Sequence, residues 1–237
     1  MKVFAIADLH MDGKQGKPMD VFGENWIGHT ERIEAAWIER VADDDLVLVP
    51  GDISWAMQLD DALCDIERIA ALPGTKLLLR GNHDYWWSSI TKMRSCFPPS
   101  VKFVQNDSFI FENIVVAGTR GWLYPGATGY VQKNDEKIYN RELLRLNLTL
   151  ADAMRHIERG EARSILLMLH FPPLGENGED TGYTEIIARY PMVTDIVYGH
   201  LHAQATHHAF EGKRYDKNYW LCSADHLGFA PKLIMQL

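Results

Sequence analysis

Short, predominantly apolar runs occur at 3–7, 46–49, 76–79, 165–169 and 196–198. Each is too short for a helix and has the length of a strand buried on both faces. Between the first three, apolar positions recur every three or four residues. Ile33, Ala36, Trp37 and Val41 predict a helix over 31–41. Leu63, Ile66, Ile69 and Ala70 predict another over 60–72, stopped by Pro73-Gly74. A third is predicted over 85–96, before Pro98-Pro99. The order β-α-β-α-β-α implies parallel strands with covering helices. The middle of the chain changes character. Runs at 101–104, 109–111 and 114–117 read as short strands separated by Asn106-Asp107 and Glu112-Asn113. Tyr139, Leu143, Leu146, Leu150, Met154 and Ile157 share one face of a long helix predicted over 135–159. Further strand candidates lie at 207–210, 218–223 and 233–236. The stretches 11–28, 118–129 and 172–183 read as loops, with 14–29 a candidate rim over a site; loops of such length are usually functional.

Composition narrows the class. With 237 residues, 46% of them hydrophobic, the chain suits one domain spanning 1–237. No apolar run approaches the roughly 18 residues of a membrane span, so no membrane partner is expected. The amino-terminal segment Met1-Lys2-Val3-Phe4-Ala5-Ile6-Ala7-Asp8 is charged too early for a signal peptide and reads as the first strand. Three cysteines without a Cys-x-x-Cys pair argue for reduced thiols and a cytoplasmic location; Cys64 and Cys222 fall in apolar patterns and are expected in the core. The net charge of −8 disfavours nonspecific binding to a polynucleotide backbone without excluding a nucleic-acid substrate bound through metals. Asp43-Asp44-Asp45 reads as a solvated run.

Candidate chemistry clusters after the apolar runs. The blocks are Asp8-x-His10, Gly51-Asp52, Gly81-Asn82-His83-Asp84, His170 and Gly199-His200-x-His202. In a doubly wound sheet such strand ends point to one edge, so the five blocks can converge. Apart from His83 and Asp84 they offer two Asp, one Asn and four His, too many ligands for one tetrahedral ion and suited to two ions sharing a ligand. Mixed imidazole and carboxylate donors without thiolate favour Mn²⁺, with Fe²⁺/Fe³⁺ or Zn²⁺ as alternatives, over Ca²⁺.

The order of these five blocks resembles the calcineurin-like metallophosphoesterases over about residues 3–202. The resemblance implies an α/β sandwich of two β-sheets flanked by α-helices, the tail contributing to the second sheet. It implies Asp8, His10 and His202 as ligands of one divalent metal and Asn82, His170 and His200 as ligands of a second. Asp52 would bridge ions about 4 Å apart, and a bridging water or hydroxide would attack phosphorus in line. His83 would be the general acid and Asp84 a group orienting an imidazole or a neighbouring loop. Many relatives carry an Asp three residues after the bridging Asp, supporting the catalytic His. Here that position is Trp55, which speaks against a Ser/Thr protein phosphatase. Arg80 and Arg120 are candidate phosphate contacts. Trp86 and Trp87 are read as core, with stacking on a leaving group as the alternative. His207-His208 and Asp225-His226 are read as structural or surface. The expected activity is hydrolysis of a small phosphodiester or phosphomonoester. The alternatives are a nuclease, or a non-catalytic protein-binding scaffold, against which His83 and the complete ligand set argue.

Overall fold

The computed structural model describes residues 1–13 and 16–237, so Lys14 and Gln15 of the expected rim loop lie outside the described residues. The apolar runs form the centres of two sheets. The first runs β11 (Lys232–Gln236), β1 (Lys2–Ala5), β2 (Leu46–Pro50), β3 (Thr75–Leu79), β4 (Val101–Val104), parallel except for β11. The second runs β5 (Asp107–Phe111), β6 (Ile114–Thr119), β7 (Ser164–Leu169), β8 (Val193–Tyr198), β10 (Lys217–Leu221), β9 (Gly212–Arg214), with β5 and β9 as antiparallel edges.

The strands read as unbroken apolar runs because both faces are covered. Val3, Ala5, Leu46, Leu48 and Leu77 of the first sheet pack against Val116, Leu166, Met168 and Val197 of the second. The alternate residues face outward. Phe4, Val47, Val49 and Leu78 meet Trp37 of α1 (His29–Arg40) and Ile66 and Ile69 of α2 (Leu59–Ala71). Val115, Ala117, Ile165 and Leu167 meet Leu146, Leu150 and Ala153 of α4 (Gln132–Glu158). Each such side chain contributes about 1.5–3 kcal/mol on burial, so this alternation fixes strand register. Helix, sheet, sheet, helix is the expected sandwich. No helix among the described residues is long and apolar enough to cross a membrane.

Several elements depart from expectation. The 85–96 helix begins only at Ile90, as α3 (Ile90–Cys96). Tyr85 N and Trp87 N donate to His83 O and Asp84 O in turns, and the Trp86 indole donates to Asp84 at 3.0 Å, which holds the segment out of helical geometry. Ser89 then caps the helix by accepting from Lys92 N. The loop at 172–183 runs into α5 (Gly182–Ile187), started by a Thr181/Thr184 capping box. The 207–210 strand is absent: Ala203–His208 is a 3-10 helix, entered through a left-handed Ala203 (φ 48°) whose N–H donates to Asp225. The tail divides, β9 and β10 joining the second sheet and β11 pairing with β1 in the first. Asp45 is buried rather than solvated, accepting from Lys2 N at 2.7 Å and Ala42 N at 3.0 Å. Cys222 is buried, Cys64 half-buried and Cys96 exposed, and all three are free thiols. Trp86 and Trp87 are buried in the core.

Candidate metal centre

The segments beyond β1 and β10 meet through a parallel bridge between Ala7 and Ser223, with Ala7 N donating to Cys222 O at 2.6 Å and Ala224 N to Ala7 O at 2.9 Å. That junction brings the loops after β1, β2, β3, β7 and β8 to one place. Four of the seven expected ligands have left-handed backbones: Asp8 (φ 59°), His10 (44°), Asp52 (52°) and His200 (74°). Non-glycine residues hold this conformation only where surrounding bonds enforce it. Here Asp8 N donates to Gly51 O at 2.9 Å, His10 N to Asp52 O at 3.0 Å, and His200 N to Asp8 Oδ2 at 2.9 Å. Two glycines are needed for close approach. A Cβ at Gly81 would lie 2.1 Å from Asp52 Oδ1, and one at Gly199 2.4 Å from Asp8 Oδ2.

The ligand atoms of Asp8, His10 and His202 lie within 4.8 Å of one another, as do those of Asp8, Asp52 and His170. Asn82 Oδ1 is 2.7 Å from His170 Nε2 and 3.0 Å from His200 Nδ1, which assembles the second expected set. Asp52 Oδ2 is 3.9 Å from His10 Nε2 and 3.5 Å from His170 Nε2, between one imidazole of each set.

The proton inventory of this cluster fits cations. His170 Nδ1 lies 2.8 Å from Pro50 O while its Nε2 faces Asn82 Oδ1. A neutral imidazole has one N–H for these two acceptors. Burial, outweighing Asp8, pushes the His170 pKa down and keeps the ring neutral. One nitrogen therefore turns a lone pair toward an oxygen, which is stable when a cation lies between them. His202 repeats the pattern, with Nδ1 2.9 Å from Asp225 Oδ1 and Nε2 3.6 Å from Asp8 Oδ1. Burial opposes its charge, yet Asp8 and Asp225 raise its pKa to about 10, so the nitrogen facing Asp8 holds a proton that a bound cation would displace. Burial also opposes the Asp8 carboxylate, but His202 holds its pKa well below the ordinary range. Asp52 is pushed well up by burial and then by Asp84 and Asp8. Buried His10 keeps Nδ1 without a hydrogen-bond partner. Buried carboxylates and lone pairs facing one another are the donor set of a cation site.

The remaining expected residues divide. His83 is half-buried; its N–H donates to Asp52 Oδ1 at 2.8 Å, and burial followed by His170 lowers its imidazole pKa. Among the described residues no carboxylate bonds its ring. Trp55 packs there instead, 4.7 Å from the His10 ring at 21° and 4.7 Å from the His83 ring at 53°. Asp84 orients a loop rather than an imidazole. Fully buried, it accepts from Gly81 N (2.7 Å), Asp52 N (2.9 Å), Ile53 N (2.9 Å) and Ser54 N (3.2 Å). Arg120 has structural neighbours: its guanidinium lies over Trp122 and 3.7 Å from fully buried Glu142, which Arg145 also pairs at 2.5 Å. Arg80 keeps a buried Nε without a hydrogen-bond partner. Asp225, expected to be structural or surface, is a partner of His202. Its only sequence signal is a carboxylate soon after the 218–223 strand.

The profile of the family described as calcineurin-like phosphoesterase matches residues 1–204. Comparison with curated proteins gives no match. Among solved structures, the chain is similar to a phosphopantetheinyl hydrolase (PptH) from Mycobacterium tuberculosis, at 15% identity and TM-score 0.54, covering 100% of this chain and 96% of that one. It is also similar to AQ665, a protein of unknown function from Aquifex aeolicus, at 13% identity and TM-score 0.46, covering 98% and 95%.

Proposed function

The chain belongs to the calcineurin-like phosphoesterase family, and on that premise we propose that it hydrolyses small phosphoesters at a dinuclear metal centre. Asp8, His10 and His202 would hold one ion, Asn82, His170 and His200 the other, and Asp52 both. The observation that carries this reading is the pair of imidazoles, His170 and His202, each facing acceptors from both nitrogens. The donor set suits Mn²⁺ first, then Fe²⁺/Fe³⁺ or Zn²⁺. Two such ions, when bound, acidify water and neutralise phosphoryl oxygens. Pro50 O and Asp225 fix the outward nitrogens of His170 and His202, which would leave the inward nitrogens free to ligate a metal. His83, half-buried beside Asp52, would give a proton to a departing oxygen. Asp84 is a positioning residue that fixes the Asp52 and Asn82 loops together. Arg80 remains the candidate phosphate contact.

The net charge of −8 favours a small substrate over a polynucleotide, and the free thiols support a cytoplasmic setting. The two sheets share one buried interface, which supports a single domain over 1–237.

The test is hydrolysis of p-nitrophenyl phosphate and bis-p-nitrophenyl phosphate by protein stripped of metal and reloaded with Mn²⁺, with metal content measured alongside. Turnover with about two ions per chain is expected. In the His83→Ala variant the metals stay, and turnover on alkyl esters falls about 10²–10⁴-fold. Two bound ions without turnover of any ester would favour the scaffold; failure to bind Mn²⁺, Fe²⁺ or Zn²⁺ would overturn the metal centre.

A further inference from the structure

Two cavities share His200 as a wall. The smaller, about 310 Å³, is lined by His10, Asp52, His83 and His202 together with Met19, Trp26 and Trp55. The larger, about 490 Å³, is lined by Trp122, Tyr124, Phe171, Leu174, Ala209 and Phe210, and touches the candidate ligands only through His200. Its walls are built by the segments that follow His170 and His200 and by the loop after β6. The Phe171 ring, next in sequence to His170, lies 4.1 Å from the His200 ring, and the Trp122 ring lies 5.0 Å from Phe171. An aromatic surface therefore runs continuously from a candidate metal ligand into the larger cavity. Among the described residues the larger cavity has no Lys or Arg in its lining and its one carboxylate is Glu176, while Lys17 Nζ lies 5.2 Å from the ring of Trp55 in the smaller. In the larger cavity, apolar walls without a Lys or Arg among the described residues disfavour a second phosphate and accept a neutral apolar or aromatic group.

We propose that the substrates are phosphodiesters with two organic substituents, the departing one in the smaller cavity beside His83 and the retained one, aromatic or apolar, in the larger. This rests on the phosphohydrolase reading above and deepens it. In the reaction the bond from phosphorus to the departing oxygen breaks, and a bond from phosphorus to a water oxygen forms. His83 gives a proton to the departing oxygen and water restores it. The products are an alcohol or phenol and a phosphomonoester that still bears the retained group. A monoester would leave the larger cavity without a partner. A polynucleotide would bring a further phosphate to the larger cavity, whose described lining holds no Lys or Arg. Each cavity falls in or near the size range of small-molecule sites, roughly 300–1,000 Å³.

The experiment holds the leaving group fixed. Methyl p-nitrophenyl phosphate and phenyl p-nitrophenyl phosphate are compared on the Mn²⁺-loaded protein, and binding of dimethyl and diphenyl phosphate is measured by calorimetry. The phenyl ester is expected to have a kcat/KM at least about 10-fold above the methyl ester, and diphenyl phosphate to bind correspondingly tighter. Ala209→Trp, which fills the larger cavity, and Trp122→Ala, which removes its wall, should each bring both ratios toward one. Turnover without phenyl preference, or a preference that survives both variants, would overturn the two-cavity assignment and leave the hydrolase standing. Tighter diphenyl phosphate binding without turnover of any ester would support the cavity assignment and overturn the hydrolase.

Discussion

Asp225 holds His202 from a position 23 residues further along the chain, and its other oxygen accepts from Ala203 N at 3.0 Å. One carboxylate thus fixes both the tautomer of a candidate ligand and the turn that follows it. Asp225→Ala is expected to weaken metal binding about 10–100-fold, measured by competition with a chelator, and Asp225→Asn, which keeps an acceptor, to recover most of it. Equal affinity in all three proteins would remove Asp225 from this role. Trp55 makes the complementary point. Where many relatives have an Asp, this chain presents an indole to two imidazoles. An indole positions a ring by packing but accepts no proton from it.

At the scale of elements, strands deliver ligands because each ends in a turn that a neighbouring turn holds. Asp84 joins the turns after β2 and β3 by accepting from four backbone N–H groups and the Trp86 indole. Removing this acceptor leaves buried donors unpaired. Asp84→Ala is therefore expected to cost at least about 3 kcal/mol, seen as a lower urea midpoint at unchanged slope. A loss below about 1 kcal/mol would mean that water replaces the carboxylate. The same bond explains the late start of α3, since Trp86 is drawn to Asp84 before a helix can form.

For the whole molecule, the centre lies where two sheets meet, and its carboxylates belong to loops of the first sheet while three of its imidazoles belong to the second. Cations held at that junction would bind the folded chain and not the unfolded one. Stripping metal is expected to lower the melting temperature, and Mn²⁺ at about 1,000 times its Kd to raise it again by on the order of 10 °C. A melting temperature indifferent to metal would count against ions shared between the sheets.

The sequence alone determined the sandwich class and its central strands, and it proposed a candidate ligand set. Buried strands must be continuously apolar, and polar donors directly after them have few other uses. The same logic marked Trp86 and Trp87 as core. What it could not reach depends on contacts between distant segments. Asp225 is an ordinary carboxylate until β10 carries it to His202. Arg120 looks free until α4 presents buried Glu142. Asp45 looks solvated until Lys2 N reaches it. The division of the tail between two sheets was decided by pairing partners that no local pattern encodes. Periodicity records which face of an element is buried, while the identity of the neighbour on that face is set only when the chain closes on itself.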